Sequence, residues 1–260
     1  MSEFARREDR DGIAIVTLDR PKKLNAVNRE MRAVIEAAVA DLRDRADLRV
    51  LLIRAEGKYF TSGVDIVETG MGKAGGKGDM SMTDLRRDYR RDHLLNDEIE
   101  AVEKPVVIAI QGPCLGLGVE LAGSCDFRLA SESAVFGLPE IDLGVIAGSG
   151  GTSRLTRLCG IGWSKWLSMA GEQLDARTAQ IAGFVQAVWP DDVFDAKVWD
   201  FCRRLTTRPA EVQGAAKLAI ELCYDLDRQG ARNVERIVNT PLMLRDNSAR
   251  VAKVMGKKKG

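Results

Sequence analysis

The sequence predicts an α/β chain with a helical appendage. In the first half, short apolar runs alternate with helical patterns, the order expected of strands feeding helices. After VQAVWP (185–190) the pattern turns wholly helical. A core over residues 1–190 and a helical region over 191–260 follow from that change.

Each element has its own signal. IAIVTL (13–18) is an apolar run of strand length. The stretch after Asn28 places Met31, Val34, Ile35, Ala38, Val39 and Leu42 at a 3.6-residue spacing, with Asn28 as the capping side chain, so a helix packs one face on the sheet. RVLLIRAEG (49–57) is the next strand. GMGKAGGKGDMSM (70–82) is glycine-rich without an apolar period and predicts a loop of the kind that lines a site. A charged helix, RRDYRRDHLLNDEIEAVE, ends near Lys104. VVIAIQ (106–111), a short helix from about Gly118 and DFRLASES (126–133) follow. The appendage reads as three helical segments, DDVFDAKVWDFCRRL, PAEVQGAAKLAIELCYDLDRQ and ARNVERIVNTPLMLRD, before a lysine-rich end. Their apolar stripes exceed what a surface helix needs.

The totals narrow the function. The chain has 260 residues, enough for one large domain with a tail. With 39 Lys and Arg against 38 Asp and Glu, it carries no broad basic footprint, so no nucleic-acid partner is expected. Five cysteines, none in a C-x-x-C pair, read as reduced and mostly buried thiols in the cytoplasm, and no metal site is expected. The N-terminus MSEFARREDRDG lacks the apolar stretch of a secretory signal, and no run approaches the ~20 apolar residues of a membrane span. A single histidine, His93, would have to serve any His-based triad or dyad; it reads as an ordinary surface or partly buried side chain. Carboxylates are therefore the expected agents of acid/base chemistry.

VVIAIQGPCLGLGVELAG (106–123) poses the sharpest question, an apolar strand running through glycines into a helix. A dinucleotide fingerprint would need a third glycine where Leu121 stands, and Glu120 occupies the helix start where a pyrophosphate would sit. That argues against a nicotinamide dehydrogenase. The loop offers exposed amides beside one acid, an arrangement that suits a developing oxyanion and a proton transfer. Two other stretches share its vocabulary of glycine beside small or acidic residues: KYFTSGVDI (58–66) and FGLPEIDLGVIAGSGGTSRL (136–155).

Taken together with DRPKKLNAVN (19–28), these stretches resemble the crotonase, or enoyl-CoA hydratase/isomerase, superfamily over nearly the whole chain. The resemblance implies a crotonase-like spiral of ββα turns followed by a C-terminal helical trimerisation region, assembled as a homotrimer or homohexamer. It implies an acyl-CoA substrate and no cofactor, since coenzyme A is part of that substrate. The backbone N–H groups of Val64 and Leu117 match the pair that holds the thioester oxygen. Glu120 and Glu140 match the two acids that flank one water in the family's hydratases. Lys23, Leu24, Ala26, Ser62, Gly63, Asp65, Ile66, Gly116 and Gly148 match positions along the acyl-CoA, while Lys257, Lys258 and Lys259 read as a solvated end, with reach to a neighbouring subunit's ligand as the alternative. Two departures stand out: Leu117 where glycine is frequent, and Ala147 where proline often stands. The implied reaction is addition of water to a trans-2-enoyl-CoA. The alternatives are dehydration of a specialised acyl-CoA, double-bond isomerisation, and a catalytically weak, RNA-associated binding member of the superfamily.

Overall fold

The computed structural model describes residues 3–69 and 81–256. The elements run in chain order: β1 (Ala5–Arg10), β2 (Ile13–Leu18), α1 (Arg29–Asp44), β3 (Val50–Ala55), α2 (Ile66–Thr69), α3 (Met82–Ala101), β4 (Val106–Ile110), β5 (Cys114–Leu115), α4 (Leu117–Ser124), β6 (Phe127–Ser131), β7 (Val135–Gly137), α5 (Gly151–Ser168), β8 (Leu174–Asp175), α6 (Ala176–Ile181), β9 (Ala187–Trp189), α7 (Phe194–Thr206), α8 (Ala210–Tyr224), α9 (Arg228–Met243) and α10 (Ser248–Gly256). Six strands form one sheet in the order β1-β2-β3-β4-β6-β9, and β5-β7-β8 form a second. Within the large sheet only the β1–β2 pair is antiparallel. The fold is thus α/β, as the alternation of runs predicts.

The apolar strands are apolar because both faces of the sheet are covered. On one face Ala14, Val16, Leu18, Leu51, Ile53, Val106, Ile108 and Ile110 join Met31, Ile35, Ala38, Val39 and Leu42 of α1 in one core. On the other, Ile13, Ile15, Val50, Leu52, Val107 and Ala109 meet Phe194, Val198 and Cys202 of α7 in a second. Asn28 caps α1 as expected, its side-chain oxygen accepting the Met31 N–H at 2.9 Å.

That second core moves the division of the chain. The two compact units are 1–207 and 208–260, so α7 belongs to the first rather than to an appendage beginning at 191. Its buried stripe is what closes the far face of the sheet. The sequence reading also passed over β1, the three short strands of the second sheet, and α5 with its break at Gly160. Of the predicted 70–82 loop, residues 70–80 lie outside the described residues, while Ser81 and Met82 already open α3, with Ser81 as its cap. Lys257, Lys258 and Lys259 also lie outside them.

Candidate active site

Three loops converge at the first turn of α4. The chain leaves β4, bridges Thr61 to Cys114, and turns at Gly116, whose φ of +53° lies in the left-handed region. A side chain at Gly116 would displace Glu140, since its Cβ would stand 2.8 Å from Glu140 Oε1. At Gly118 a Cβ would stand 2.3 Å from the Thr61 methyl. These glycines therefore serve close packing of the 61–65 loop and of Glu140 against α4, which accounts for their spacing without a phosphate.

The two loops touch where the amide pair was expected. A Cβ on Gly63 would be 3.8 Å from the Cα of Gly116, and one on Gly116 equally far from the Cα of Gly63. The next residues are Val64 and Leu117. Around Val64, the N–H of Val27 donates to Gly63 O at 2.8 Å and that of Asp65 to Val27 O at 2.9 Å. Around Leu117, Gly116 N–H donates to Gly137 O at 2.9 Å, and Val119 and Glu120 donate to Gly116 O. Among the described residues the N–H groups of Val64 and Leu117 have no acceptor. Leu117 begins α4, where a helix leaves its N–H groups unused. Its side chain packs against the core, so leucine in place of glycine is accommodated.

Glu120 lies one turn further, only 5% exposed. Its Oε1 accepts the Ser149 N–H at 2.7 Å and the Gly151 N–H at 3.3 Å. Burial and the neighbouring Glu140 carboxyl push its pKa up to about 7 against those two donors. Glu140, on the single turn Pro139–Leu143, is also raised by burial, and its Oε2 is shielded without a hydrogen-bond partner among the described residues. Two carboxyls that share a field and resist ionising hold a proton readily near neutral pH. The Ala147 turn, despite lacking proline, is held by Thr152, whose N–H and hydroxyl both donate to Ala147 O at 3.0 Å.

The other predicted positions form a stitched pair of loops. Ser62 N–H donates to Leu24 O at 2.9 Å, and Arg20 Nη1 reaches both Ala26 O at 3.1 Å and Asp65 Oδ2 at 2.6 Å. Asp65 also accepts the N–H groups of Val67 and Glu68, and Arg20 holds its carboxyl below the usual range. Its side chain is thus occupied as a brace between the two loops. Lys23, Leu24 and Ile66 are exposed on this rim, with Ala26 and Ser62 half-buried. Gly148 stands apart from them in sequence, in the loop that supplies the Glu120 donors.

Several participants lie outside the predicted site residues. Asn25 is fully buried at φ +53°, donating through Nδ2 to Glu56 O and Tyr59 O, and it fixes the 20–27 loop. Ser149 and Gly151 contribute backbone N–H groups, which no residue type announces. Asn96, Tyr89 and His93 of α3 close over the same loop, and their spacing of four and three residues was readable. Among the described residues no group of His, Cys, Asp and Glu is placed to hold a metal ion. No helix among them is long and apolar enough to cross a membrane.

Comparison with known proteins places this arrangement among others. The sequence model described as enoyl-CoA hydratase/isomerase matches residues 8–248. A protein of Mycobacterium tuberculosis named as a probable enoyl-CoA hydratase is 30% identical over 248 residues, covering 95% of this chain and 92% of that one. The short-chain-enoyl-CoA hydratase of Clostridium acetobutylicum is 36% identical over 177 residues, 68% of this chain and 65% of that one. The solved enoyl-CoA hydratase of Thermoplasma volcanium superposes with a TM-score of 0.84 at 30% identity, covering 97% of each chain.

Proposed function

The chain belongs to the enoyl-CoA hydratase/isomerase family, and from that premise we propose that it adds water to a trans-2-enoyl-CoA, reversibly giving a 3-hydroxyacyl-CoA. The observation that carries this reading is the pair of acids: Glu120 and Glu140 are both raised, with Glu140 one of the causes for Glu120, and Glu140 lies against Gly116, next to an amide with a free N–H.

In the proposed reaction the thioester oxygen accepts from Val64 and Leu117 N–H. Electron density drawn onto that oxygen makes C3 electrophilic and stabilises the enolate that forms, and one such donor contributes roughly 10²- to 10³-fold in rate. Between them the two carboxyls hold one proton. The ionised one removes a proton from water as its oxygen bonds to C3, and the protonated one delivers its proton to C2. The acid pair ends with the proton it began with, so no cofactor is needed beyond the coenzyme A of the substrate. Along that coenzyme the reading places the backbone from Lys23 to Ala26 and from Ser62 to Ile66. It takes place in the cytoplasm, in a homotrimer or homohexamer.

The test is hydration of crotonyl-CoA by the wild type, Glu120→Gln, Glu140→Gln and the double variant. Each single change keeps volume and removes a proton-transfer group, at an expected cost of roughly 10²- to 10⁴-fold in kcat. The double change costs far less than the product, because the acids act on one step. A single variant that hydrates at near wild-type rate overturns the shared-water mechanism. A wild type that exchanges the α-proton with deuterated solvent but never hydrates is an isomerase.

A further inference from the structure

Helix α3 carries Tyr89, His93, Asn96 and Glu100 at intervals of four, three and four residues, a single stripe along the helix. Three of the four are located by what they touch. A Cβ on Gly148 would stand 1.7 Å from Tyr89 Oη, so the hydroxyl lies directly on that glycine. Asn96 Nδ2 donates to Ser149 O at 2.8 Å. Glu100 grips Arg154, whose Nη1 reaches the same Ser149 O at 3.4 Å. His93 lies between Tyr89 and Asn96 on the stripe and therefore faces the 148–149 loop, the loop that donates to Glu120.

Two further observations fix its surroundings. Its ring stands edge-on to Tyr89 with centroids 5.1 Å apart, and its field reaches Glu120. Its Nε2 is closed off from solvent and has no hydrogen-bond partner among the described residues. Leaving a shielded polar atom unsatisfied costs about 1–3 kcal/mol, so each such atom calls for an explanation, a bound partner among them. In this part of the molecule Glu140 Oε2 is in the same condition, and the proposed reaction gives that oxygen a water to handle. His93 Nε2 is left over.

We propose that His93 determines specificity by hydrogen-bonding, through Nε2, a neutral oxygen on the acyl chain beyond the reacting carbons. This rests on the acyl-CoA reading above and names the class of substrate: an enoyl-CoA whose chain bears a hydroxyl or carbonyl, rather than a plain alkyl chain. An acyl group held by its carbonyl at Val64 and Leu117 passes Glu120, and the α3 stripe is the wall next to that acid. A hydroxyl suits the imidazole best, because it donates as well as accepts and so matches either tautomer. A carboxylate suits it least, because Glu120 and Glu140 already place negative charge there and a third anion would be repelled.

Binding of saturated acyl-CoAs tests this without turnover. Calorimetry compares 4-hydroxybutanoyl-CoA with pentanoyl-CoA, and 5-hydroxypentanoyl-CoA with hexanoyl-CoA, each pair differing by a hydroxyl in place of a methyl. The wild type is expected to bind at least one hydroxylated member about tenfold more tightly than its partner, since a site with an unsatisfied polar atom disfavours the analogue that lacks a mate for it. In His93→Phe, which keeps the ring against Tyr89, that ratio falls to about one. His93→Gln, which returns a polar atom to the region, keeps part of it. A wild type with no preference for either hydroxylated ligand overturns the inference. So does a His93→Phe protein whose two affinities fall together with the ratio intact, which would make His93 a support for the fold. Glutaryl-CoA as the tightest ligand would replace the neutral oxygen with an anion and also overturn it. Failure of the acyl-CoA reading looks different: no member of the panel binds the wild type at all.

Discussion

Glu120 is held by two opposing influences, and the balance has a thermodynamic signature. Burial and Glu140 raise its pKa from 4.5 to about 7, outweighing the Ser149 and Gly151 N–H donors that favour the anion. The folded state then binds this proton more tightly than the unfolded chain, so folding stability falls as pH rises from about 4.5 to about 7 and is level above that. Glu120→Gln removes the dependence while keeping an acceptor for both N–H groups. Relative to wild type, the variant is expected to gain about 3 kcal/mol between pH 4 and pH 8. Thermal unfolding of both proteins at the two pH values measures it, and equal shifts would mean that Glu120 ionises normally. The amide role of Leu117 is equally open to test, because the first helical position tolerates proline, which removes the N–H. Leu117→Pro is expected to fold and lose at least ~10²-fold in crotonyl-CoA hydration, and Leu117→Gly to keep substantial activity. A folded, fully active proline variant would remove that amide from the site. Side chains such as Glu120 and Glu140 were legible in the sequence only through the family resemblance of the stretches CLGLGVELA and FGLPEIDLG that carry them, since each stretch alone is a weak signal. The donors to Glu120 were not, because they are backbone atoms. His93 was read as ordinary because the charges around it hid the stripe it shares with Tyr89 and Asn96.

At the scale of elements, α4 is the part whose geometry the site depends on, and its end is fixed from below. Arg128 of β6, 3% exposed, donates from Nη1 to Ala122 O at 3.0 Å and to Cys125 O, and from Nε to Phe184 O at 2.6 Å. A guanidinium thus adds a second donor to Ala122 O, which also accepts the Cys125 N–H, and satisfies the Cys125 carbonyl just beyond α4. Arg128→Met fills much of the space but supplies no donor, and it is expected to destabilise the chain by about 2–4 kcal/mol. Chemical denaturation checks this; a loss under ~1 kcal/mol would mean water replaces the guanidinium without cost. Strands and helices with a strong period were readable: β2, β3, β4 and α1 lie where the apolar runs placed them. The misses have physical causes. β1 is an edge strand, ARREDR, whose charges protect an open edge and erase any apolar signal. β5 and β8 are two residues long and are defined by their pairing with β7, with β5 also bridged to Thr61. α7 looked like its helical neighbours, because an amphipathic period says that a face is buried without saying against what.

For the whole molecule, the two units differ in how they use their apolar residues. The unit over 1–207 contains both cores and every described residue of the candidate site. In the unit over 208–260, α8 buries only Gly214 and α9 buries nothing, yet Leu218, Ile220 and Leu222 of α8 and Ile237 and Met243 of α9 are exposed, as is Leu244 just beyond it. Single exposed apolar side chains need no explanation, but a run of them along two consecutive helices marks a surface that association covers. The family resemblance assigns that role to a trimerisation region, and closed rotational symmetry is the usual way to cover one repeated patch. The expected state is therefore three or six copies at micromolar concentration, read by light scattering, with Ile220→Lys and Ile237→Lys shifting the population toward monomer. A wild type that is monomeric at that concentration would sink the assembly. Charge substitutions that leave the mass unchanged would instead move the interface off α8 and α9. Where the substitutions do yield monomer, its hydration rate under the same conditions tells whether the acid pair works without neighbouring copies.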